Sequence, residues 1–572
     1  MVRRTFSSLK NLLLKEQNEI ISAVAVLMVL SLVTKLTGMV FLTLVARQFG
    51  ASLETDKFYL ASVIPEMITN IILLGAVSGA IIPIFVKLRE DKGEQMFLRS
   101  FSSTMNTAML SFVVLSVIAA LFSRELVPFA INLSGGSPLN DPQVINDVVW
   151  MMRIMLIPQI VLGLSAFVST SLNIYSRFII PQLAPLFFNI GKIIGVLLIV
   201  PLMGGSIWGL IWGTLLGSLL HLLIQLPLLW HLRLKFNLLL FDFRDKYFRQ
   251  AVRLGAPRVA SLSVEQFASV IDSIIAIGLA KGSLTVYQLG VRLISIPLNL
   301  FGTTYSIAAF PTLARLHANG NREEFGMLIN KLIQQVFFLA IPVTVLLLVL
   351  RIPIVRLVYG ILGGNFTWED TLQVAWVVMF FSLGLVFETL RSALFRVYYA
   401  MHNSIIPLIS SVIVVVTGIT TGILLTNYFS HFTSFSLQNI TWDINYFFTK
   451  SDGPAGVGGL ALSSSIVFTL EFFFLVFVLY KKKVIKLRPI VKSAAKKFLA
   501  GLIMFVISYA MLKLWDEVLN TARTLQLTVL TITTIISSFM LYLWTSFVLG
   551  VPEVELFMNY IGRLLRKLKK SI

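Results

Sequence analysis

Apolar stretches of about 20 residues recur along the whole chain, set apart by short polar or charged breaks. That length is what a helix needs to cross the hydrocarbon core of a bilayer. The stretches run near 21–46, 57–86, 101–122, 148–173, 178–200, 206–231, 255–279, 284–312, 326–349, 372–399, 404–427, 455–480, 498–514 and 526–550. Backbone at membrane depth has no water to bond, so these segments are helices. The alternating ten-residue pattern of an outer-membrane barrel is absent. The chain reads as an all-α membrane protein with about 14 transmembrane helices.

The pattern repeats, at separations of 226 to 232 positions. Gly75 to Pro83, followed by Lys87-Leu88 and Gly93, is echoed by the run from Gly302 through Phe310-Pro311, Arg315-Leu316 and Gly320. Ile179-Ile180-Pro181 is echoed by Ile405-Ile406-Pro407, Ser52-Leu53 by Ser283-Leu284, and Pro65 by Pro297. Each half holds six spans, and an even number restores the starting orientation, so the halves are parallel repeats. The expected architecture is two six-helix lobes around a central cavity, plus two C-terminal helices. Its parts are a cytoplasmic N-terminal segment (1–20), an N-lobe (21–231), a cytoplasmic linker (232–254), a C-lobe (255–480), a basic cytoplasmic loop (481–497), two further helices (498–550) and a basic cytoplasmic tail (551–572). Gly205, Gly209, Gly213 and Gly217 form a four-residue stripe on the sixth helix, and Ala455, Gly459 and Ser463 begin another on the twelfth. Both suit close helix packing. The segment from Thr426 to Pro454 reads as an interfacial flap.

Composition agrees: 57% of the 572 residues are hydrophobic and 13% charged. The absence of cysteine excludes disulfides and thiol chemistry, and the five histidines have no metal-ligand spacing. No cofactor or metal is expected. A formal net charge of +20 could indicate nucleic acid, but the basic residues cluster in alternate loops: Lys87 to Lys92, Arg233 to Arg253, Lys481 to Lys497 and Arg563 to Lys570. That is a positive-inside distribution with both termini cytoplasmic, and it implies contact with anionic membrane lipids rather than nucleic acid. The first apolar stretch is too long for a cleaved signal and stays in the membrane. There is no Walker loop and no Ser-His-Asp order, so no enzyme is expected.

Ionisable residues at membrane depth carry the functional information, since each costs about 2.5–3.5 kcal/mol to insert. The cations are Lys35, Arg153, Lys192, Arg258, Arg292, Arg391 and Arg396; the anions are Glu66, Glu265, Asp272, Glu388 and Glu471. Glu388 and Arg391 stand three apart and can neutralise each other locally. Lys35 and Arg292 have no acidic residue within a turn on their own helices. Cations in both lobes suit a phosphate or pyrophosphate group. Glu66, beside Pro65 and four residues before Asn70, is a candidate for a coupling cation, Na+ or H+, at a helix break; a salt bridge to Lys35 is the competing role. Asp272 belongs to the same ion-coupling or gating set.

Lys35-Leu36-Thr37-Gly38, then Val45 to Ala51 and Thr55 to Phe58, resemble the opening of the MurJ/MviN family of the MOP exporter superfamily. Leu172 to Phe178, Ile180-Pro181, Ala184-Pro185 and Asn189-Ile190 continue the resemblance, as do Gly282-Ser283, Tyr287, Arg292-Leu293 and Pro297. It covers most of residues 20–500. The resemblance implies a lipid II flippase of the bacterial cytoplasmic membrane, working by alternating access, with the last two helices holding the lipid tail. It makes Lys35 and Arg292 substrate-binding cavity cations and Asp56 an acidic gating position. Two family arginines fall on Phe41 and Thr69 here; Arg153, Arg258 and Arg391 are the candidates to compensate. Competing readings are a flippase for another undecaprenyl-linked oligosaccharide, a MATE-like cation antiporter, and a transport-dead scaffold for cell-wall synthesis or division proteins.

Overall fold

The computed structural model describes residues 20–76, 81–135, 138–237, 239–431, 434–437, 440–443, 456–555 and 557–558. Ala455 and Lys450 lie outside them. The described chain is helical except for one two-stranded hairpin. Eleven of its helices are long and apolar enough to cross a membrane.

Contacts group the chain into two compact units, 1–285 with 362–366, and 286–361 with 367–572. The first unit holds α1 (Ile20–Phe49), α2 (Leu53–Ala76), α3 (Ile81–Lys92), α4 (Glu94–Leu121), α5 (Ser123–Leu133), α6 (Pro142–Ile174), α7 (Ile179–Ile194, extended to Leu202 through a π-helical turn), α8 (Trp208–Leu223), α9 (Leu226–His231) and α10 (Lys246–Ile277). Within it α1 packs on α7, α7 on α8, α8 on α6, α6 on α2 and α2 on α10. The glycine stripe explains the α7–α8 approach. A methyl at Gly213 would stand 2.5 Å from Gly195 Cα, and one at Gly217 would stand 2.5 Å from Phe188 O. Gly205 departs from the expected stripe: it sits in the preceding turn at φ 84° with open space around it. Segment 362–366 is tied to the end of α1, where Asn365 N donates to Arg47 O (2.8 Å) and Asn365 Nδ2 to Gln48 O (2.6 Å).

α11 (Ser283–Pro297) starts in the first unit and continues in the second from Val286. The second unit adds α12 (Thr304–Ala318), α13 (Arg322–Val355), α14 (Trp368–Ala400), α15 (Ile405–His431), α16 (Gly456–Lys481), α17 (Leu487–Val518) and α18 (Thr524–Val548). α16 packs on both α14 and α15, α13 on α14 and α17, and α17 on α18. Phe337, Leu390, Leu475 and Met504 are buried in its core. In the flap, α15 runs on to His431, and β1 (Ser434–Leu437) pairs antiparallel with β2 (Ile440–Asp443), Phe435 opposite Trp442.

The eleven apolar helices are α1, α4, α6, α7, α8–α9 and α13 to α18. The other three expected spans fall on α2 with α3, on α10, and on α11–α12. All three are helical, and they carry Asp56, Lys57 and Glu66, then Arg258, Glu265 and Asp272, then Arg292 with a π-helical break after Pro297. The repeat also shows in the backbone. Left-handed residues recur at matching corners: Gly93 and Gly320 (φ 82° and 71°), and Ser176 and His402 (φ 55° and 54°). At the first corner Arg89 stacks 3.9 Å over Tyr175; at the second His317 lies 6.4 Å from His402, ring to ring.

Within the second unit, a buried ion pair locks the two last helices to each other and to α13. Lys497 Nζ donates to Glu553 Oε1 (2.7 Å), Gln334 O (2.6 Å) and Ser493 Oγ (2.9 Å), and its side chain is fully buried. Removing one partner of such a pair strands the other charge, at about 3–5 kcal/mol, whereas replacing both with apolar groups is near neutral. Lys497→Met alone should therefore lower the unfolding temperature in detergent, and Lys497→Met with Glu553→Leu should restore most of it.

Candidate functional site

Asp56 is tightly held. It lies in the first turn of α2 and is 3% exposed. Its Oδ2 accepts from Gly282 N (2.6 Å); its Oδ1 accepts from Thr285 N (2.8 Å) and Thr285 Oγ1 (2.7 Å). These donors belong to the N-terminus of α11, whose first amides have no partner within their own helix. A carboxylate there satisfies them and meets the positive end of the helix dipole. Gly282 permits the approach: at φ 83°, a Cβ would stand 2.3 Å from Ala51 O. Beside it Lys57 bridges Glu54 (2.6 Å) and Asp147 (3.3 Å), tying α2 to α6.

Lys35 is exposed on α1. Six residues on, Phe41 is buried, and Lys192 of α7 sets its ammonium 3.8 Å from the Phe41 ring centroid and 5.2 Å from that of Phe188. An ammonium over a ring face is held by the ring quadrupole. A positive charge thus stands at the Phe41 position, supplied by a neighbouring helix. Sequence reasoning had Lys192 among the intramembrane cations but not in the site; the spacing along α1 gives no sign of it. Asn189, one turn before Lys192, donates to Thr34 O (2.9 Å) and Thr37 Oγ1 (3.2 Å), fixing α7 on α1.

Thr69, at the other family arginine position, is buried. Its Oγ1 lies 2.8 Å from both Pro65 O and Gln159 Oε1, sharing one hydrogen between them. One residue on, Asn70 Nδ2 donates to Gln266 Oε1 of α10 (3.1 Å). Glu66 is exposed on the same helix, and Asp272 is half-buried on α10. A second polar cluster joins α6 to α8, where Ser165 Oγ lies 2.7 Å from His221 Nδ1 and accepts from Gln225 Nε2 (2.7 Å).

The remaining cations part company. Arg153 Nε donates to Ser123 Oγ (2.8 Å) and Ala120 O (3.1 Å), so it clasps the α4–α5 corner. Arg391 reaches Glu471 of α16 at 3.3 Å, with the rings of Phe395 and Phe468 each 5.1 Å from its guanidinium. Glu471 is buried, so this charge is paired across two helices. Arg292 is half-buried on α11. Arg258 lies in α10, its side chain outside the described residues. Among the described residues no group of three or more His, Asp or Glu could hold a metal.

The family model described as "Lipid II flippase MurJ" matches residues 45–441. A probable lipid II flippase MurJ of Buchnera aphidicola is 26% identical over 494 residues, covering 85% of this chain and 90% of that protein. The corresponding protein of Thermotoga maritima is 25% identical, covering 79% and 85%. Among solved structures, a lipid II flippase MurJ in an inward-closed conformation superposes with a TM-score of 0.68 at 24% identity, covering 91% of this chain and 97% of that one. An inward-facing MATE-family multidrug transporter of the MOP superfamily shares the fold at 11% identity, with a TM-score of 0.61, covering 80% and 98%. The chain is a multi-pass membrane protein and belongs to the MurJ lipid II flippase family, a family of transporters.

Proposed function

We propose that this chain carries lipid II, the undecaprenyl-pyrophosphate-linked peptidoglycan precursor, across the bacterial cytoplasmic membrane by alternating access. Both termini are cytoplasmic, and α2, α10 and α11–α12 cross with the eleven apolar helices to make fourteen spans. The observation that carries this reading is the family match over residues 45–441. Lys35, Lys192 and Arg292 are the cations proposed to neutralise a diphosphate. Glu66, Asn70 and Asp272 are the groups to which a coupling Na+ or H+ would bind. The Asp56 clamp on the α11 N-terminus is the gate: transport requires that it open and reform.

Phe41 and Thr69, in place of two arginines, favour one second reading, in which the diphosphate is retained but the glycan differs. Titration of the purified chain with lipid II, with an undecaprenyl-pyrophosphate carrying another oligosaccharide, and with undecaprenyl monophosphate separates these, read by native mass spectrometry. Tightest binding of lipid II supports the first reading, and preference for the other glycan the second. Equal binding of the monophosphate contradicts both.

A further inference from the structure

The linker between α9 and α10 does not hang free in the solvent. Asn106 Nδ2 of α4 donates to Asn237 O (2.7 Å) and Leu240 O (2.8 Å). Asn237 N donates to Ser102 Oγ (3.1 Å), Asp242 N to Ser103 Oγ (2.7 Å), and Arg99 pairs with Asp242 (3.1 Å). Leu234 is buried and Phe236 packs on Phe101, so one side of the linker belongs to the protein core. Its backbone is thereby pinned along α4 up to Asn106, about 7 Å inside the expected membrane boundary at residue 101, at 1.5 Å per residue.

What the clamps hold outward is apolar. Leu239 is 87% exposed, Phe243 57% and Phe241 40%, with the two phenylalanine rings stacked at 6.4 Å. Such a patch, fixed at this depth, is covered by acyl chains or by another protein. Charge decides between them. Arg244, Lys246 and Arg249 follow at once and are exposed. The neighbouring acids are already engaged: Asp242 by Arg99, and Asp245 by the Tyr247 and Phe248 amides at the start of α10. Rings and a leucine at acyl depth with cations beside them are complementary to an anionic leaflet.

We propose that residues 233–237 and 239–249 form a membrane-interface anchor for anionic phospholipid, with Leu239, Phe241 and Phe243 among the acyl chains and Arg244, Lys246 and Arg249 on the headgroup phosphates. The anchor fixes the junction between the two sequence repeats to the bilayer surface. It stands whichever substrate the chain carries, and in symmetric bilayers it does not depend on orientation.

The chain has no cysteine, so Leu239→Cys offers one site for a fluorescent label. The full-length labelled protein goes into nanodiscs of phosphatidylcholine with 30 mol% brominated lipid, either phosphatidylglycerol or phosphatidylcholine. Brominated phosphatidylglycerol should quench the label at least twofold more than brominated phosphatidylcholine. Arg244→Gln, Lys246→Gln and Arg249→Gln together should erase that difference while quenching by both lipids persists. Phe243→Cys serves as an independent site should the first variant not be monodisperse. Equal quenching by the two lipids in the unsubstituted background overturns the headgroup assignment. Free access of aqueous iodide without bromolipid quenching overturns the anchor, as does shielding that appears only when an acidic protein is added.

Discussion

Asp56→Ala is expected to leave the protein both less stable and inactive. Three donors converge on this carboxylate, and two are backbone amides at the start of α11 with no helical partner of their own. Truncation leaves them buried and unsatisfied, at about 1–3 kcal/mol for each group. A net loss of about 3 kcal/mol is a large share of a typical folding free energy. Asp56→Asn tests the same contact with the shape preserved. An amide has one acceptor oxygen, so its NH2 must face either Gly282 N or Thr285 N, and little of the loss is recovered. Thermal unfolding of the detergent-purified variants measures the stability term, and rescue of a flippase-depleted host measures activity. If Asp56→Ala unfolds within a degree of the parent, the clamp does not hold α11 as described.

Lys35→Gln and Arg292→Gln should each abolish rescue, Lys35→Gln while leaving expression and unfolding temperature nearly unchanged. Lys35 is exposed, so its side chain fills no core whose loss would unfold the chain. A charge-assisted hydrogen bond to phosphate contributes about 1.5–3 kcal/mol, roughly a 10- to 150-fold change in affinity. Lys35→Arg should retain function, since a guanidinium keeps the charge and adds a bidentate fork. Lys192→Met should behave like Lys35→Gln, because it removes the ammonium over Phe41 but keeps its stem. A scaffold without transport would tolerate all of these changes. Rescue by Lys35→Gln and Arg292→Gln together would remove the diphosphate role.

The helices were legible because lipid imposes a single requirement, a long apolar run, and α15, with no charged residue, satisfies it plainly. The internal repeat was legible for a related reason: corners such as Ser176 and His402 keep their backbone shape even where their side chains differ. What escaped sequence reasoning depends on which helix faces which. Arg391 pairs with Glu471, eighty positions on, a partner that no spacing along its own helix indicates. Lys192 reaches Phe41 only because Asn189 and the Gly213–Gly195 contact set α7 in place. Asp56 stood out by resemblance alone; that it caps a helix beginning at Ser283 is a fact of tertiary structure. Likewise the linker of 232–254 read as a plain basic loop, because nothing in its composition shows that Asn106 holds its backbone.

The most direct test counts lipid II on the far side of the membrane. In a host depleted of its own flippase and expressing this chain, outer-leaflet lipid II is measured with an enzyme that cleaves it only from that side. Cleavage restored by the parent chain, and lost with Arg292→Gln at equal membrane abundance, is the predicted result. An outer-leaflet pool that stays at the depleted level despite full expression of the parent would contradict lipid II transport by this protein.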